Sequence, residues 1–67
     1  MLVFMMYAMI QYATLDPSNP IGTRYVYVGH VHHQEDIVAA EQNVAKVFAA
    51  DNKINLVGWK VDQSTEI

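Results

Sequence analysis

The stretch MLVFMMYAMIQY, residues 1–12, decides the fold, because its first ten side chains are all apolar. Successive side chains of a β-strand point to opposite faces, so a strand with this sequence is apolar on both faces. The stretch is short for a helix, and its Val, Phe, Tyr and Ile favour a long strand. Met, Ala and Leu also form helices well, which leaves a helix as the alternative.

Two further segments follow this strand. Residues 15–22, LDPSNPIG, contain two prolines and a glycine, and they predict a flexible loop with an exposed tip. Residues 23–32, TRYVYVGHVH, alternate sharply and predict a second strand. Gly29 in the middle of that strand indicates a bulge or a close approach by another group.

The second half of the chain predicts a helix and a third strand. Residues 34–51 place apolar side chains at helical spacing, with Asn52 as a left-handed stop. Residues 54–62, INLVGWKVD, predict the third strand, and residues 63–67 predict a frayed polar tail. The chain is therefore expected to form a single β-β-α-β domain over residues 1–67. Its fold class is α+β, a three-stranded sheet with one helix packed on one face.

Strict alternation assigns the side chains of strands two and three to faces. In the second strand one face carries Arg24, Val26, Val28, His30 and His32, and the other carries Tyr25, Tyr27, Gly29 and Val31. We expect Val26 and Val28 to face the helix. In the third strand one face carries Val57, Trp59 and Val61, and the other carries Ile54, Leu56 and Gly58.

Composition excludes several classes of protein. The 67 residues include no cysteine, which excludes a disulfide framework and a thiol nucleophile. The net charge is −3 and the four basic residues are dispersed, so no nucleic-acid partner is expected. Ten apolar residues fall short of the about 20 that span a bilayer, and no basic residue precedes Arg24. We therefore expect a cytoplasmic protein with no membrane partner.

Counting faces predicts a partner for this chain. One helix covers one side of a three-stranded sheet, whereas the strands carry apolar or aromatic residues on both sides. A single core in a chain of this size supplies only about 3–5 kcal/mol of stability. We therefore expect a homodimer whose interface contains Met5, Tyr7, Met9, Tyr25, Tyr27 and Trp59. The alternative is a first strand that bends and covers the sheet itself.

The run GHVHHQED, residues 29–36, holds the one cluster with ligand character. His30, His32 and His33 are candidate metal ligands, although their spacing matches no established zinc motif. The same turn lies where open sheets bind phosphate, but it lacks a glycine-rich loop. A histidine with Glu35 has the chemistry of an acid–base pair, yet so short a chain hardly encloses a pocket. Tyr25, Tyr27 and Trp59 fit a base-stacking platform less well than ordinary sheet aromatics, because the protein is acidic.

These observations favour a small non-enzymatic regulator or inhibitor that binds itself and another protein, with no catalytic residues and no cofactor. Small, acidic chains without motifs are often regulators or inhibitors, for example from phages or other mobile elements. The candidate binding surfaces are the open sheet face and the loop around Asp16 to Gly22. The alternative function is a metal- or small-ligand-binding module built on His30, His32 and His33.

Overall fold

A computed structural model describes residues 1–51 and 53–65 of the chain. The first segment is a strand, and four further elements follow it. In chain order they are β1 (Leu2–Ala13), β2 (Ile21–Val31), a 3-10 turn (Gln34–Asp36) that runs directly into α1 (Ile37–Ala49), and β3 (Ile54–Thr65). Asn52, the expected helix stop, lies outside the described residues.

The strands form one antiparallel sheet in the order β2-β1-β3, so the long apolar strand is the central one. Both edge strands run antiparallel to β1, and α1 therefore crosses from one edge of the sheet to the other over a single face. The fully covered side chains of β1 identify that face, since Met6 is 1% exposed and Ala8 is 0% exposed. The predicted α+β fold with one helix on one side of the sheet is confirmed.

Several boundaries differ from the sequence prediction. The second strand ends at Val31, so His32 follows it, and the α-helix begins at Ile37 after the 3-10 turn. The loop ends at Pro20, because Ile21 and Gly22 already pair with Ala13 and Tyr12 of β1. The expected frayed tail is wrong for residues 63–65, which continue β3 and pair with residues 2–4. The polar sequence suggested fraying, but the long central strand offers backbone partners along its whole length. Glu66 and Ile67 lie outside the described residues.

A bulge in β2 changes which side chains share a face. Met6 lies opposite Gly29, whereas the next residue, Tyr7, lies opposite Tyr27, so Val28 is the extra residue. Gly29 adopts a φ of 145°, which L side chains rarely adopt. The bulge indicated by this glycine is confirmed. The face assignment of the histidines is wrong, because the extra residue moves His30 and His32 to the face of Tyr25 and Tyr27.

A second bulge in β3 has the same effect. Met9 lies opposite Gly58 and Ile10 lies opposite Leu56, so Val57 is the extra residue. Beyond the bulge, Trp59 lies opposite Ala8 and therefore faces the helix. The sequence prediction placed Trp59 on a different face from Leu56, and the structure brings the two to the same face.

The helix covers its side of the sheet loosely. No residue of α1 is buried, and Val38 and Val47 are 61% and 71% exposed. The Cα radius of gyration is 14.0 Å, against about 11 Å for a compact chain of this length. The accessible surface is 5001 Å², against about 4,300 Å² for a folded monomer of this mass. Among the described residues, no helix is long and apolar enough to cross a membrane.

Replacing Gly29 by alanine should lower the free energy of unfolding by about 1–3 kcal/mol, measured by urea denaturation. The reason is backbone strain alone, because a Cβ at this position meets no atom within 4 Å. Gly58→Ala is the matched control. Its Cβ would lie 3.3 Å from the flexible methyl end of Met9, so we expect a change below about 1 kcal/mol. Equal losses in the two variants would contradict this account of the bulge.

Candidate functional site on the open sheet face

The face of the sheet opposite α1 is called the open face. Its side chains come from all three strands and follow from alternation along β1 and from the two bulged registers. They include Val3, Met5, Tyr7 and Met9 of β1, Tyr25, Tyr27 and His30 of β2, His32 just after β2, and Gly58, Lys60 and Asp62 of β3.

Aromatic and sulfur-containing side chains fill the middle of the open face. The rings of Tyr7 and Tyr27 meet edge to face, with 5.6 Å between their centroids. Tyr25 and Tyr27 remain 53% and 50% exposed. Five of the six residues predicted for an interface therefore lie together here. The sixth, Trp59, lies on the helix face, because the sequence gives little sign of the bulge at Val57.

Lys60 lies across this aromatic surface, a role that the sequence prediction missed. Its Nζ atom is 5.6 Å from the ring centre of Tyr7 and 5.5 Å from that of Tyr25. The same atom is 3.7 Å from a carboxylate oxygen of Asp62, and both side chains are about half exposed. A lysine held between two rings and one carboxylate partly shields the tyrosines from water.

The histidines divide into a pair and a single residue. The rings of His30 and His32 lie edge to face at 5.4 Å. The Tyr27 hydroxyl lies 3.2 Å from Nδ1 of His30. Nδ1 of His32 lies 3.3 Å from the backbone oxygen of Leu2, which can accept a hydrogen bond. The bulge at Gly29 thus makes the pair part of the open face.

His33 precedes the 3-10 turn, where its backbone oxygen accepts a hydrogen bond from the N–H of Asp36. Within residues 1–51 and 53–65, no group of three or more His, Asp or Glu side chains converges as a metal site would require. The structure therefore brings together two of the three histidines predicted as ligands. Two imidazoles are fewer than the three protein ligands of a catalytic zinc site.

Charge is distributed unevenly between the two sides of the sheet. Among the described residues, the open face carries one acidic side chain, Asp62, beside one basic side chain, Lys60. The other described acids lie in the loop, the 3-10 turn, the helix and the turn before β3, and they are Asp16, Glu35, Asp36, Glu41 and Asp51. The net negative charge of the protein thus belongs mainly to the periphery, and the open face is close to neutral.

The loop between β1 and β2 is held by its own polar groups. The backbone N–H of Thr14 donates to the oxygen of Pro20 at 2.9 Å, which closes the loop. The backbone N–H and the hydroxyl of Ser18 both donate to one carboxylate oxygen of Asp16, at 3.0 and 2.8 Å. Leu15 is fully exposed beside this turn. The loop therefore presents an apolar side chain on an ordered backbone.

Two shallow grooves lie near the end of the sheet where this loop begins. The larger, about 300 Å³, lies between the end of α1 and β3 and is lined by Ala45, Phe48, Ala49, Asp51, Ile54, Asn55 and Leu56. The smaller, about 210 Å³, is lined by Gln11, Tyr12, Ala13, Ile21, Lys53 and Asn55. Neither lining combines a nucleophile with a base, which nucleophilic catalysis would need.

Comparison with protein-family models, with curated protein sequences and with solved structures finds no match to this chain.

The Ser18 hydroxyl, followed by the Ser18 backbone N–H, lowers the pKa of the Asp16 carboxyl below its ordinary value. Because the folded pKa is depressed, the ionised carboxylate stabilises the loop above the ordinary carboxyl pKa, and this contribution is lost as pH falls through the folded pKa. Ser18→Ala should therefore raise the pKa of Asp16 towards its ordinary value in an NMR titration. A pKa that stays unchanged in this variant would contradict the hydrogen-bond explanation.

Proposed function

We propose that this chain is a small non-enzymatic protein-binding module that works as a homodimer, a cytoplasmic regulator or inhibitor of another protein. The observation that carries the proposal is the composition of the open face. Tyrosine and methionine are typical of interface cores, whereas lysine and acidic residues are depleted there. Tyr7, Tyr25, Tyr27, Met5 and Met9 form one continuous surface on this face, with a single lysine across it.

Energetics support a covered face. A large apolar side chain that is fully buried contributes about 1.5–3 kcal/mol, and a whole domain is stable by only about 5–15 kcal/mol. The helix face supplies few fully buried side chains, since Met6, Ala8 and Ile10 are the buried ones there. Covering the half-exposed tyrosines would therefore add substantially to the stability of this chain. A second copy of the same chain can cover these tyrosines.

The loop supports the second part of the proposal, the binding of another protein. The Leu15 side chain is fully exposed to water. The backbone around it is held by hydrogen bonds of Thr14, Asp16 and Ser18. A loop with internal hydrogen bonds loses less conformational entropy on binding than one without them, so an exposed apolar side chain on it is a suitable anchor. The loop lies at one end of the sheet and stays accessible when the middle of the open face is covered. A cytoplasmic location agrees with a fold that contains no cysteine and needs no oxidising compartment.

The metal-binding alternative has weaker support, because only His30 and His32 lie together. Two ligands from one chain leave a zinc ion short of protein donors. We therefore retain protein binding as the function that the geometry supports best.

Size-exclusion chromatography with light scattering at micromolar concentration should give about twice the chain mass of 7.6 kDa. The double substitution Y25T/Y27T keeps β propensity but removes two rings from the open face. We expect it to raise the dimer dissociation constant by about 100-fold, since each ring contributes at least about 1.5 kcal/mol.

The matched control is V38T/V47T, which changes two exposed apolar residues of the helix. These positions lie away from the open face, so the mass should remain that of the dimer. A wild-type protein that elutes as a clean monomer would refute the homodimer, and equal effects of the two double substitutions would refute the role of the open face.

A further inference from the structure

The open face is organised in cross-strand rows. One row holds Lys60, Tyr7 and Tyr27, because Tyr7 lies opposite both of the others. The next row holds Asp62, Met5 and His30, because Met5 lies opposite both of the others. Between the two rows runs the line through Met6, whose own side chain points to the helix face.

We infer that the open face binds a second copy of this chain face to face, about a two-fold axis that lies level with Met6 and perpendicular to the strands. This inference rests on the proposed homodimer and specifies its register. A two-fold axis at this level exchanges the two rows, so that each residue of one row meets the matching residue of the other row. Lys60 of each copy then lies against Asp62 of the other copy.

The remaining pairs in this register are also complementary. Tyr7 meets Met5 of the second copy, a sulfur–aromatic contact. Tyr27 meets His30 of the second copy, and these two groups already lie within hydrogen-bond distance inside one chain. These pairs place matching groups opposite one another on both sides of the axis.

Charge selects this register over its neighbours. Moving the axis by one residue towards Tyr7 sets Lys60 against Lys60 of the second copy. Moving it by one residue towards Met5 sets Asp62 against Asp62. Like charges that face each other across an interface are strongly unfavourable. With the axis level with Met6, each lysine faces an aspartate instead, and this attractive contact forms twice. Inside one chain the two groups are 3.7 Å apart, which leaves both available for a closer partner.

The area of the open face suits a dimer. With the axis level with Met6, residues 2–10 of β1 face the second copy. Three strands of this length overlap over about 31 Å by 14 Å, or about 430 Å² before the relief of the side chains is counted. A stable interface buries about 600–1,000 Å² on each partner. Two sheets that pack with their strands nearly aligned, about 10 Å apart, bury a face of this size almost completely. The end of β1 next to the loop, residues 11–13, extends beyond the second copy, which keeps the loop accessible.

The test uses the charge pair, because its reciprocity is specific to this register. Variants K60E and D62K each set like charges against one another twice in a homodimer. We expect each to raise the dimer dissociation constant at least tenfold. An equimolar mixture should form a heterodimer, detected by native mass spectrometry, because one copy then presents two acids and the other two lysines.

The double variant K60E/D62K serves as the control and also covers any failure of a single variant to fold. It should dimerise like the wild type, because exchanging both charges keeps the pairs complementary. Mixed with the wild type, it should sort into two homodimers, because a mixed pair opposes lysine to lysine and acid to acid. A statistical mixture with half heterodimer would overturn the register while leaving the homodimer in place. A monomeric wild type would overturn both.

Discussion

The structure depends on one constraint, which is that a single helix cannot cover both faces of a sheet whose central strand is apolar on both. The strand β1 is flanked by β2 and β3, so its side chains form the middle of each face. The helix takes the face of Met6, Ala8 and Ile10. The face of Met5, Tyr7 and Met9 receives no element of this chain among residues 1–51 and 53–65, and the large accessible surface agrees with that division.

The two β-bulges determine what the open face contains. Without the extra residue at Val28, His30 and His32 would point towards the helix beside Val26. Without the extra residue at Val57, Trp59 would lie beside Tyr7 and Lys60 would point towards the helix. A bulge moves every later side chain in its strand to the opposite face of the sheet, because side chains alternate between the faces with a period of two. Two local irregularities therefore bring a lysine, an aspartate and two histidines to an aromatic surface.

The sequence predicts the element order, the three-stranded sheet and the packing of one helix on one face. These features follow from apolar periodicity and from the prolines and glycines that mark the turns. Five of the six residues predicted for an interface lie on the open face, since β1 has no bulge of its own and Tyr25 and Tyr27 precede the bulge in β2. The prediction fails at Trp59, because strict alternation along β3 takes no account of the bulge at Val57, beside Gly58. The sequence prediction also ends β3 too early, at Asp62. The residues that follow are polar and suggest a frayed tail, although they pair with the long central strand.

Solvent access to the methionine methyl groups tests the central claim most directly, namely that the open face is covered in solution. Met6 is 1% exposed within the single chain and provides an internal reference. With a soluble paramagnetic agent, the relaxation of the Met5 and Met9 methyl signals at micromolar to millimolar protein should be nearly as slow as that of Met6. Rates clearly faster than that of Met6 at every concentration would show that water reaches the open face, and they would contradict the account.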